Sequence, residues 1–102
     1  MNVANLQLEG MMMALAALNN LLVHKGVLSI DEIDRALRTV EADITGDERL
    51  YEDMTPANRD AVCFPLRLLM MANQAQSETG VPGFSELAKM VGRTKGSYND
   101  QM

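Results

Sequence analysis

Residues 11–18 read Met-Met-Met-Ala-Leu-Ala-Ala-Leu, an unbroken apolar run, and it limits the fold more than any other stretch. Around it Leu8, Met11, Met12, Leu15, Leu18 and Leu22 recur at the three- and four-residue spacing of an α-helix. At 3.6 residues per turn the run is greasy on all sides for about two turns. Such a helix has to be covered on all sides, inside a bundle or against a second copy of the chain. The helix predicted over residues 6–23 is therefore the element that the remaining residues are expected to cover.

The next signals are turn signals. Gly26 is expected to be the left-handed residue past the helix end, with Val27 placed to touch Leu22, as in a Schellman stop. His24 and Lys25 suit the negative end of the helix dipole. Ser29 and Glu32 form a capping box, with Leu28 and Ile33 as its hydrophobic staple. Together these predict an αα-hairpin. The second helix, residues 30–44, carries a narrow seam of Ile30, Ile33, Leu37, Val40 and Ile44 before Thr45-Gly46 stops it. Residues 47–54 are an acidic connector with room for one turn burying Leu50, Tyr51 or Met54.

Thr55 and Pro56 read as an N-cap followed by proline at the first helical position. The third helix is predicted to reach about residue 77, with Ala61, Phe64, Leu68, Met71 and Ala75 on one stripe. Pro65 lacks an N–H and crowds the carbonyl of Ala61, so a kink or a break is expected there. Ser85 caps a last short helix over residues 86–91. Residues 1–92 thus make a helical bundle domain, and residues 93–102 a polar tail, frayed or forming a second short helix.

The fold class is all-α: an up-down-up bundle of three main helices plus a short C-terminal helix. The first and third helices then run parallel, with residues 23–24 level with 77–78. That register sets Met70 and Met71 beside Ala16 and Ala17, and Gly10 near Phe64. Three helices of unequal length, one apolar all round, leave surface that a homodimer would cover. Its interface is expected at Met11, Met12, Leu15, Leu18, Met70 and Met71.

Little in the chain suggests catalysis. Cys63 and His24 are the only thiol and imidazole, and the bundle places them roughly 20 Å apart at helical rise. The carboxylates match no calcium loop or di-iron pattern, and no phosphate-binding glycine loop, zinc motif or nucleophile elbow occurs. No enzyme, cofactor or metal is expected. The net charge is -5: the first 54 residues carry four Lys/Arg against ten Asp/Glu and the rest five against four, a poor balance for gripping nucleic acid or anionic lipid. A lone cysteine fits a reducing cytoplasm. The first residues lack a signal peptide's basic flank, and the apolar run breaks at Asn19-Asn20, short of a membrane span. The expected function is a bacterial-type, cytoplasmic protein–protein interaction module acting through a Met/Leu-rich helical surface.

One stretch carries an alternative. Residues 84–98, FSELAKMVGRTKGSY, resemble a helix-turn-helix DNA-binding segment: Ala88, Gly92 and Thr94 fall where such segments place an alanine, a turn glycine and the start of the recognition helix. The resemblance implies a transcriptional regulator with Lys89, Arg93, Lys95, Ser97 and Asn99 toward the nucleic acid. Arg93 departs from the apolar residue usual there, and Gly96 weakens the recognition helix.

Overall fold

The computed structural model describes residues 3–46 and 56–100. Four helices account for nearly all of them: α1 (Val3–His24), α2 (Ile30–Thr45), α3 (Pro56–Ala75) and α4 (Phe84–Asp100). No strand occurs among the described residues, only an isolated bridge between Ser77 and Gly80 in the α3–α4 connection. The connector expected to bury Leu50, Tyr51 or Met54, and the Thr55 cap, lie outside the described residues.

The α1–α2 hairpin forms as its local chemistry dictates. Gly26 has φ 76°, where a Cβ would be strained. The Val27 N–H donates to the Leu22 carbonyl and that of Gly26 to Val23, both at 3.0 Å, the pair of bonds that defines a Schellman stop. Three residues after Gly26, Ser29 Oγ accepts from the Glu32 N–H (3.0 Å), and Glu32 Oε1 accepts from the Ser29 N–H (2.9 Å). The capping box is complete. Along the predicted seam Ile33 is buried and Leu37 and Ile44 are half-buried, but Ile30 and Val40 reach solvent.

The centre of the bundle is α3, not the first helix. It packs against each of the other three helices. Residues 67–70 are buried in succession, together with Cys63, Ala72 and Asn73, so the middle turn of α3 is covered on every side. Pro65 sits within it without breaking it. Of α1 only Met12 and Ala16 are buried. They join Leu68, Leu69 and Ala72 of α3 and Leu87 and Val91 of α4 in one core cluster. The inversion has a physical reason: α3 holds the polar residues Arg67 and Asn73, which lower its apolar score but find partners inside.

Those polar residues also fix the register. Asn73, 2% exposed, donates its amide to the Ile30 carbonyl at 2.8 Å and accepts from Gln76 Nε2 at 2.8 Å. Asn20 of α1 donates to Gln76 Oε1 (3.1 Å) and to the Ser77 carbonyl (3.0 Å). Residue 20 is thus level with 76, which shifts α1 by two residues, about 3 Å, from the expected alignment. Phe64 accordingly does not use the space at Gly10, where an added Cβ would meet nothing within 4 Å. Its ring meets Phe84 edge-on at 6.3 Å. Since Ile30 sits with Asn73 and Glu41 with Arg67, α2 runs antiparallel to α3.

The last helix differs most from the sequence reading. It begins at Phe84, one residue before Ser85, with the Leu87 N–H bonded to the Gly83 carbonyl. It then runs without interruption through Gly92 to Asp100. Leu87 and Val91 hold its inner face, and an exposed mid-helix glycine costs only about 1 kcal/mol. Residues assigned to a polar tail are helical.

Two substitutions check this account by urea denaturation. Asn73→Ala removes a buried amide with a partner on α2 and should cost about 2 kcal/mol, against less than about 0.5 kcal/mol for exposed Gln74→Ala. Ser29→Ala should cost about 1 kcal/mol through loss of the α2 cap.

Candidate functional site

The outward face of α1 is the most unusual surface on the molecule. Leu8, Met11, Leu15 and Leu18 keep the three- and four-residue spacing predicted for them, yet all are exposed, Met11 by 61% and Leu18 by 56%. Val3, Leu6 and Leu21 extend the exposed apolar area along the helix. Glu9 is the only acidic or basic residue in α1 before His24, and it lies on the inward side, half-buried. The outward face is therefore uncharged. Water would have to wet about five turns of mostly apolar surface there, a patch of the kind that marks an interaction site.

The expected interface residues divide on this geometry. Met11, Leu15 and Leu18 stand on the exposed face. Met12 (8% exposed) and Met70 (2%) are buried inside the chain, and half-buried Met71 packs against the core cluster. Three consecutive methionines, 11–13, spread over more than half the circumference of a helix, so the inward one cannot be picked from sequence. By length and composition α1 is also apolar enough to cross a membrane, although Asn19-Asn20 interrupts the apolar run.

A second feature lies on the inward side of α1. A cavity of about 570 Å³ opens between α1, α3 and α4, floored by Met12, Phe64, Phe84 and Val91. Asn5, Glu9, Asp60 and Arg67 supply its polar wall. Arg67, 7% exposed, is held by Asp60 Oδ1 at 3.3 Å and by Glu41 Oε2 at 3.4 Å. These carboxylates tie α2 and the start of α3 to the middle of α3. Sequence reasoning missed Arg67, although a lone cation three residues after Phe64 on an apolar stripe is the available signal.

The thiol of Cys63 belongs to this cluster and is chemically quiet. It is 2% exposed. Burial pushes its pKa above the ordinary 9.0, Glu41 raises it further, Arg67 opposes, and Asp60 adds a smaller push upward. His24 stands exposed at the far end of α1. By the Asn20–Gln76 register the two differ by about seventeen residues of helical rise, roughly 25 Å. Among the described residues no group of three or more His, Cys, Asp or Glu is placed to hold a metal ion.

The segment resembling a helix-turn-helix contains one helix, not two. The turn expected at Gly92 is absent because α4 is continuous. Lys89 and Arg93 are exposed four residues apart on it. The side chains of Lys95, Ser97 and Asn99 lie outside the described residues. The chain matches no protein-family model, no curated protein and no solved structure.

The cysteine gives a direct check. Native protein at pH 8 should react with a thiol reagent far more slowly than protein in guanidinium, because the thiol is buried and protonated. A folded-state pKa above the unfolded one contributes stability below pH 9.0, and this stability is lost as pH rises through the higher folded value. A wild-type minus Cys63→Ala difference in denaturation midpoint that shrinks above pH 9 would register it.

Proposed function

We propose that this chain is a small non-enzymatic interaction module that works as a homodimer through the outward face of α1. The observation that carries the reading is the uncharged, exposed apolar side of that helix. At roughly 100 Å² for each half-exposed Leu, Met or Val, the seven side chains from Val3 to Leu21 present about 700 Å², near the ~800 Å² per partner of a stable interface. Two copies meeting on this face bring no like charges together, although the chain as a whole is acidic. The 8-11-15-18 spacing is that of a two-helix seam. A symmetric pairing needs no other surface.

A cytoplasmic setting accords with the single, buried cysteine. DNA binding through α4 is the weaker reading, since no turn separates a recognition helix from its support.

Sedimentation equilibrium at micromolar concentration tests the proposal. The expected result is twice the mass of one chain. Leu15→Glu places a charge on the seam at a position already half-exposed, so it should give folded monomer with unchanged helicity. A monomeric wild type, or a dimer indifferent to Leu15→Glu, would refute it. Partition into neutral lipid vesicles by a monomeric wild type would assign the face to a membrane instead.

A further inference from the structure

We infer that the cavity between α1, α3 and α4 is a binding site for a small organic ammonium ion carrying a flat apolar body, of the arylalkylamine class. Its volume of about 570 Å³ falls within the range of roughly 300–1,000 Å³ usual for small-molecule sites. The floor suits the apolar body: Phe64 and Phe84 meet edge-on, leaving ring surface beside Met12 and Val91. Aromatic faces also attract a cation that lies over them.

The wall suits the ammonium group. Among the described residues the charged ones on it are Glu9, Asp60 and Arg67, formally one negative charge in excess. Arg67 is already engaged by Asp60 and by Glu41 from the other side, so it is poorly placed to recruit an anion. Glu9 takes part in no hydrogen bond or ion pair among the described residues. A carboxylate without a partner beside an aromatic floor favours a ligand that donates and is positively charged. The site lies on the inward side of α1 and shares only Leu8 with the face proposed for dimerisation.

The probes are phenethylammonium, the neutral phenethyl alcohol and the anionic 3-phenylpropionate, titrated into the full chain and followed by NMR. Phenethylammonium should bind at least tenfold more tightly than the alcohol, and the carboxylate weakest of the three. Shifts should centre on the Phe64 and Phe84 rings and the Met12 methyl, not on the Met11 methyl of the outer face. Glu9→Gln, at a half-buried surface position, should leave the fold intact and abolish the preference for the ammonium over the alcohol. Equal binding of ammonium and alcohol, preference for the carboxylate, shifts confined to the outer face, unaltered preference in Glu9→Gln, or no saturable binding would each overturn the assignment.

Discussion

The structure depends on an amide buried where hydrocarbon would be expected. Asn73 is closed off from water, and its side chain bonds both the first residue of α2 and Gln76, which in turn holds Asn20 of α1. Leucine and methionine surfaces tolerate sliding, and with nine methionines the chain has an adaptable supply of such surface. A buried amide tolerates none. Moving α2 along α3 by one residue would leave Asn73 without its acceptor, at a cost of about 1–3 kcal/mol. Three helices thereby share one register.

Arg67 does comparable work toward the other end of α3, with a different balance. Its guanidinium gathers Asp60 from its own helix and Glu41 from α2. Removing one partner of such a buried pair typically costs about 3–5 kcal/mol, although replacing the whole set by hydrocarbon can be neutral. The cluster therefore contributes more to choosing one arrangement than to net stability. Added to the larger effect of burial, its carboxylates raise the Cys63 pKa, and Asp60 lends the neighbouring cavity an acidic wall.

What could be read from the residues was local. The Gly26 stop and the Ser29 box involve partners within five positions of each other, so their chemistry is complete in a short stretch of sequence. The central role of α3 was not legible, because Arg67 and Asn73 look like solvent-facing residues until Asp60, Glu41 and Ile30 are brought beside them. The length of α4 was missed because Gly92 reads as a stop, whereas one exposed glycine costs a helix only about 1 kcal/mol. The candidate surface was half legible: the apolar seam was evident, but Met12 and Met70 face inward. The cavity had no signature, since it is built from three separate helices.

The position of the hub late in the chain has a consequence for how the protein comes into being. Residues are added at about 5–20 per second during synthesis, and α1 with its hairpin is complete before any part of α3 exists. The hairpin can cap itself, since its turn bonds are local, but it has no hydrocarbon partner until residues 67–73 leave the ribosome. For some seconds both sides of α1 are bare. A nascent α1 can therefore meet another nascent α1 before either has met its own α3, through the face that stays open in the finished fold. Neighbouring ribosomes on one message would make that encounter frequent.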